Sequence, residues 1–430
     1  MPRNGSGVYQ LPAGSTFQPN TLAQSATVNG ITQDIATDLN TPRPIVAGGT
    51  GESSPSAAAA ALGVLELSGG RMSGDLDMGG NQILNAINLT ADHYNRVANG
   101  SLQISQENGN TVSPASTANS GYYTADEFSS RWDVSTGSGT IQTALISAAS
   151  PLHNDGFFIN IGSGAGVTLG ASSFAVFTHK IEGLRVADLM WGTASAKDAV
   201  LRFNVQALAG TYSVRISNNA QNRSYVAQFT VTTNNVWQTI TIPIPGDTTG
   251  TWATDSTPGV KIDFVAAVGS TYISGTPGWN AGNYYGLTGQ NNALASASSG
   301  FNITRIGFYA DPFSTGLAPS WETLDFTEQF LLCSRYWQNV LVRSAAYNNA
   351  AGAYMGAQVA LTAVMRAVPT FTYTDLVGAV GKVTITGTHG FTPIGGGAGA
   401  NAFAITIDLL SPVAINNTWW ALIAKLNARM

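Results

Sequence analysis

Between Asp263 and Arg305 the chain carries no charged side chain. Inside that interval runs "GSTYISGTPGWNAGNYYGLTGQNNALASASSG", in which Tyr272, Trp279, Tyr284 and Tyr285 stand among Asn, Gln, Gly and Ser. Aromatic faces stack on the C–H surface of a sugar ring, and neutral amides and hydroxyls both donate to and accept from sugar hydroxyls. A neutral, aromatic, loop-borne surface is what a glycan receptor requires. The residues expected to form it are Trp279, Tyr284 and Tyr285 for stacking, with Asn280 and Asn283 for hydrogen bonds. The same aromatics would equally serve to anchor a long loop on a sheet or to fill a subunit interface.

Carboxylates are the second group to consider, because polysaccharide cleavage commonly needs only a pair of them. Glu322, Asp325 and Glu328 cluster in "WETLDFTEQ", and Asp247 and Asp255 flank "TTGTWAT". Nothing in the spacing makes any two face one another, and helix capping, turn formation and solvation account for them as well. His93, His153, His179 and His389 are far apart and none sits at a zinc-type spacing. Cys333 has no local catalytic signature, and no phosphate-binding loop or nucleophile elbow occurs. The Gly-rich "GSGAG" and "GGGAGAN" do not open helices and read as flexible loops. No catalytic residue, metal or cofactor is expected.

The elements that must position such a surface follow from composition and pattern. Only 10% of the 430 residues are charged, against roughly 25% in ordinary soluble domains, so Ser, Thr, Asn and Gly carry the surface polarity. With 19 basic and 24 acidic residues there is no basic stripe to neutralise phosphates, which disfavours nucleic acid as a partner. A single cysteine rules out an intrachain disulfide framework. The first residues lack the apolar core of a signal peptide, and no run approaches the ~20 apolar residues of a membrane span. Synthesis in the cytoplasm without membrane insertion is the expectation.

From residue 122 onward, strand-like runs recur at 156–161, 175–186, 199–205, 211–217, 225–231, 237–242, 260–266 and 301–309, separated by turn-rich stretches such as "SNNAQNRS" and "PIPGDTTG". This spacing predicts an all-β jelly-roll sandwich over 122–320. A β-rich tip over 321–430 follows. "WETLDFTEQFLLCSRYWQNV" opens it as strand or helix, with runs at 357–364, 370–374, 382–386, 402–408 and 417–423.

The N-terminal third reads differently. Val28, Ile31, Ile35 and Leu39 are spaced by three and four, which predicts a helix with a narrow apolar seam and Thr27 as a possible cap. Ser54, Pro55 and the alanines to Leu62 predict a short capped helix. "LSGGRMSGDLDMGGNQILNAINL" alternates strictly around Gly79-Gly80-Asn81, so it reads as strand, turn, strand. A lone hairpin is marginal in water, and the nearest source of a covering layer is another copy of the same chain. The polar stretch 92–120 ends in a Ser/Asn/Pro cluster at 113–121 that reads as a linker.

Several of these segments together resemble bacteriophage tail fibre and tailspike proteins. "MPRNGSGVYQLPAG" with "NGITQDIATDLN" resembles their virion-attachment end, and "GGTGESSPSAAAAALGV" with "SGGRMSGDLDMGGNQILNAINL" resembles repeated shaft elements. "WGTASAKDAVLRFNVQA", "GTYSVRISNNAQNRSYVAQFTV" and "WQTITIPIPGDTTGTWATD" are similar to a carbohydrate-binding-like jelly roll of such proteins, as is "GNYYGLTGQNNALASASSGFNITRIGFY". "EQFLLCSRYWQNV" and "AVMRAVPTFTYT" look like the opening of the terminal domain beyond it. The resemblance implies an elongated homotrimer on the virion tail. Residues 1–45 would attach it to a tail or adaptor protein through the helix of Val28, Ile31, Ile35 and Leu39. Residues 46–121 would form an intertwined shaft and linker, and the distal domains would bind a bacterial surface polysaccharide. Tailspikes of the wider family also cleave their receptor, usually with long β-helix repeats that this chain lacks. The expected function is therefore non-enzymatic attachment. The alternatives are a depolymerase using carboxylates near Asp325, and a structural fibre that docks another virion protein.

Overall fold

The structure, a computed structural model, describes residues 19–20, 22–40, 54, 57–58, 94–147, 157–297, 299–348, 351–352, 354–413 and 415–430. The chain divides into two compact units, residues 1–87 and 88–430. In the first unit, α1 (Ser25–Asn40) is the helix expected from the apolar spacing. Val28, Ile35 and Leu39 are exposed along it and Ile31 is half-buried. Thr27 lies inside the first turn and is no cap, because its own N–H already bonds the carbonyl of Gln24. Ser54 does cap the second short helix, its Oγ accepting from the N–H of Ala57. The hairpin at 67–89 lies outside the described residues. Among the described residues no helix is long and apolar enough to cross a membrane.

The described part of the second unit is almost entirely β. Its first half comprises β1 (Ala118–Ala125), β2 (Phe128–Asp133), β3 (Gln142–Ser147), β4 (Phe157–Gly162), β5 (Phe174–Glu182), β6 (Ala199–Gln206) and β7 (Gly210–Ser217). It continues with β8 (Arg223–Val231), β9 (Gln238–Ile244), β10 (Pro258–Val268), β11 (Ile273–Ser274), β12 (Gly278–Ala281), β13 (Gly286–Leu287) and β14 (Gly300–Ala310). All eight strands expected between 156 and 309 are present, with ends shifted by a few residues. They form a seven-stranded sheet in the order β1-β2-β5-β10-β7-β8-β12 and a five-stranded sheet in the order β3-β4-β14-β6-β9. Phe177 and Phe264 of the first sheet meet Phe203 and Phe301 of the second in one core, so the two sheets close a sandwich.

The linker reading of 113–121 does not hold. Ser116 bridges Ile141, and β1 begins at Ala118. Upstream of it Val97 and Leu102 enter the sandwich core, and Asn99 ties the Ile104 and Asp126 carbonyls together. The stretch is polar because its side chains satisfy loop backbone, while a few apolar residues plug the sandwich.

Beyond the sandwich, α2 (Phe326–Ser334) starts at Asp325, whose carboxylate accepts from the N–H of Thr327. It is followed by β15 (Trp337–Asn348), β16 (Tyr354–Ala360), β17 (Thr370–Thr374), β18 (Val383–Ile385), β19 (Thr388–Phe391), β20 (Gly395–Ala400), β21 (Ala404–Leu410) and β22 (Ile415–Asn427). β22 is central, pairing with β15 on one edge and with β17 and β18 on the other; β16, β21 and β20 form a separate sheet. Trp420, Leu422, Met355, Ile405 and Ile407 fill the core of this tip. Arg335 joins the tip to the sandwich through a forked pair with Glu182, to which Tyr336 also donates.

Candidate functional site

The five residues expected to bind sugar lie on the segment 269–290, whose Tyr272 and Tyr285 pack on the face of the seven-stranded sheet turned away from the core, while its β12 extends that sheet at the edge and packs Trp279 against the sandwich core. That face is laid out in register. Arg131 of β2, Val176 of β5, Val265 of β10, Ser213 of β7 and Gln228 of β8 form one row. Ser129, Thr178, Asp263, Arg215 and Val226 form the next, and Lys180, Lys261, Ser217 and Ser224 a third. Val176 and Val265 leave apolar surface there, and Tyr285 of the segment covers it.

Tyr285 is therefore a core residue and offers no ring face to a sugar. It is 3% exposed, stacks on Phe174 at 5.5 Å and 6°, and lies 4.2 Å from the Arg215 guanidinium. Asn280 is likewise committed. Its Oδ1 accepts from the Ser274 and Thr276 hydroxyls at 2.9 Å, and its Nδ2 donates to the Thr276 and Gly278 carbonyls. It shapes the turn and leaves little capacity for a ligand.

Trp279 is half-buried at the sheet edge, on β12. Its ring lies 5.4 Å from Trp191, 5.5 Å from Trp252 and 5.3 Å from Tyr225, and its indole N–H donates to the Pro245 carbonyl. Arg223 approaches the same ring at 5.7 Å while forking onto Asp247. Asn283 is exposed and Tyr284 half-buried, and among the described residues neither side chain makes a hydrogen bond. Gly282, at φ +129°, permits the Tyr284 ring to fold over it, since a Cβ there would stand 2.9 Å from a ring carbon.

Beside Trp279 a cleft of about 460 Å³ opens, lined by Tyr225, Gln228, Pro277, Gly278, Leu287 and Thr288, with no charged group in its wall. On the same sheet, a polar pocket of about 400 Å³ is lined by Tyr123, Ser129, Arg131, Lys180, Gln221 and Lys261, among others. Burial pushes the Lys261 amine down to about 8, and Arg131 and Arg215 add to this against the pull of Asp263. Burial opposes the Asp263 charge, but Lys261 and Arg215 outweigh it and hold that carboxyl below its ordinary range.

The carboxylates noted in the sequence separate. Glu322 and Glu328 line one cleft of about 600 Å³ with Leu324, Leu331, Arg185 and Arg335. Asp325 caps α2, Asp247 is held by Arg223, and Asp255 accepts from Thr257 at the surface. Among the described residues no group of three or more His, Cys, Asp or Glu draws together to hold a metal. His179 is buried, its charged form disfavoured by burial to a pKa of about 3.

Trp191, Trp252 and the Arg131, Lys180 and Lys261 group went unremarked in the sequence. The charged group leaves a trace there. In "FSSRWD", "FTHKIE" and "GVKIDFVAAV" Arg131, Lys180, Lys261 and the acids share one strand parity with Ser129 and Thr178, and the large core residues the other.

No family model matches the chain, and no curated protein matches it. Solved structures similar to part of it include an arabinose-bound α-L-arabinofuranosidase, at 11% identity and TM-score 0.28 over 51% of this chain and 27% of that one. Another is the enzymatically active domain of bacteriophage CBA120 tailspike protein 4, at 9% identity and TM-score 0.24 over 45% of this chain and 21% of that one. A third is the family 11 carbohydrate-binding module of a cellulosomal cellulase of Clostridium thermocellum, at 15% identity and TM-score 0.23 over 43% of this chain and 86% of that one. The chain thus spans about a quarter of the length of the first two.

Proposed function

We propose that this chain is a receptor-binding fibre protein of a bacteriophage tail, which attaches the virion to a bacterium by holding a cell-surface glycan against segment 269–290. The observation that carries the reading is the uncharged cleft at the sheet edge, walled partly by Pro277, Gly278, Leu287 and Thr288 of the charge-free segment and by the ring of Tyr225. Its volume suits a few sugar units, and such ligands are held by ring stacking and neutral hydrogen bonds. Tyr284 and Asn283 supply the accessible ring and amide, Trp279 supplies a ring edge, and Asn280 holds the turn. In a homotrimer on a multi-fibre tail, linked weak sites gain about 10²- to 10⁴-fold in avidity. Attachment to the tail would fall to the apolar stripe of Val28, Ile31, Ile35 and Leu39, seated on a tail or adaptor protein.

The experiment is a glycan array of bacterial surface polysaccharides probed with the full chain and with an Asn283→Ala/Tyr284→Ala variant. The variant should lose about tenfold or more in binding while keeping its fold. Equal binding by both would remove the site. A depolymerase is the second reading, favoured by one observation: Glu322 and Glu328 line the same cleft. New reducing ends on incubation with a bound polysaccharide would establish it.

A further inference from the structure

The polar pocket on the seven-stranded sheet has a charge balance unlike the rest of the molecule. The chain is acidic overall, with a formal net charge of -5, yet three cations line this pocket and no carboxylate side chain does; the backbone of Met430, the last residue of the sequence, also lines it. The acids nearest to it are engaged. Asp263 accepts from Thr178 at 2.6 Å and pairs with Arg215, both fully buried. Glu127 pairs with Arg429. Lys180 donates to the main-chain oxygen of Met430. Lys261, 4% exposed, has one hydrogen-bond partner, the Gln221 Oε1, at 3.2 Å. The half-buried Arg131 side chain makes no hydrogen bond among the described residues; it lies 5.9 Å from the Phe174 ring and, like Lys261, shares the field of Asp263, a single carboxylate already paired with Arg215, so the cations outnumber it. Holding like charges together away from water is costly unless something answers them.

We propose that Arg131, Lys180 and Lys261 form an anion subsite that receives the carboxylate of an acidic sugar. This rests on the glycan-binding reading and specifies it: the ligand is an acidic polysaccharide. The rest of the lining suits a sugar, since Ser129, Tyr123, Asn219 and Gln221 offer hydroxyls and amides. The pocket reaches β10 and the uncharged cleft lies along β8, two strand spacings or about 10 Å away on one sheet.

The test uses the full chain on an array that holds uronate-bearing, phosphate-bearing and neutral bacterial polysaccharides, with Arg131→Gln and Lys261→Met alongside. The expected result is preference for uronate-bearing glycans, weakened by salt, and a loss of about tenfold or more in each variant. Lys261→Met also takes a counter-charge from Asp263, so its thermal midpoint is read alongside its binding, whereas Arg131→Gln removes a side chain with no hydrogen bond among the described residues and should hold its midpoint while binding falls, which a merely structural arginine would not produce. Preference for phosphate-bearing glycans, lost in the same variants, would keep the anion subsite and replace the carboxylate by a phosphate. Binding of neutral glycans alone, unchanged in both variants, overturns the subsite and leaves the glycan reading standing. Binding of no glycan overturns both.

Discussion

The guanidinium of Arg429 lies 3.8 Å from the centre of the Tyr123 ring, so the penultimate residue of the chain is stacked on the first strand of the sandwich. Trp337 lies 4.3 Å from the same group, and Glu107, Asp126 and Glu127 surround it. Arg429 and Asp126 are almost wholly excluded from water. This cluster, with the Arg335–Glu182 fork, makes the tip and the sandwich one folded unit.

Replacing Arg429 by Met should cost about 3–5 kcal/mol, because it strands buried carboxylates without their counter-charge. Arg429→Lys should recover part of this, since an ammonium keeps the charge but cannot fork between carboxylates. Urea unfolding of the three proteins measures it. A Met variant as stable as the parent would mean that the cluster does not hold the tip.

Glu127 and His179 touch, through the histidine ring and the Glu127 carbonyl, and they tilt stability in opposite directions with pH. Burial pushes the Glu127 carboxyl up to about 8 from 4.5, although Arg429 pulls the other way. Between those values the folded chain keeps a proton that the unfolded chain releases, so stability falls as pH rises through this window. Burial holds His179 down to about 3 from 6.5, and there the unfolded chain binds the extra proton, so stability falls as pH drops from 6.5 towards 3. Thermal midpoints from pH 4 to 9 should flatten on the alkaline side in Glu127→Gln and on the acid side in His179→Gln. Parallel curves for parent and variants would contradict both assignments.

The strands of the sandwich were legible because alternation and turn composition both survive in a sheet with one buried face. Among the strands that escaped, β1 and β20 lack that pattern. β1 is built from "ANSGYYTA", whose apolar content is low because it is an edge strand that buries only Thr124 and Ala125. β20, "GGGAGA", is a strand only by pairing with β21. At the candidate site, the sequence singled out the segment 269–290 but could not divide its aromatics. Tyr284 and Tyr285 are adjacent and chemically identical, and only the location of Phe174 and Arg215, distant in sequence, sends Tyr285 inward. Asn280 was equally opaque, since its partners Ser274 and Thr276 close a turn that composition alone does not specify.

Apolar side chains crowd the surface of the tip: Val368, Val377, Val380 and Phe403 are each about two-thirds exposed or more. We propose that in a homotrimer some of these side chains are covered by the same sequence in a neighbouring copy. Light scattering on the intact chain should give three times 44.7 kDa. A Val377→Asp/Val380→Asp variant should shift the mass downward with the strands intact by circular dichroism. A folded monomer of the parent chain would end the trimer proposal.

Lys261 makes the anion subsite testable by pH alone. Its amine is brought down to about 8 by burial, with Arg131, Arg215 and Lys180 adding to the shift and Asp263 opposing it. An anionic ligand favours the charged amine, so affinity for an acidic glycan should weaken as pH rises from 7 to 9, by up to about tenfold per unit beyond 8. Stability moves the other way. Unfolded, the lysine titrates near 10.5, so between 8 and 10.5 the unfolded chain holds the extra proton, and folding gains as pH rises through that window. Binding and thermal midpoint should therefore diverge above pH 8 in the parent, and Lys261→Met should abolish the lysine's part in both trends. If affinity and stability instead fall together above pH 8, in parent and variant alike, the loss is unfolding and the lysine is no part of the subsite.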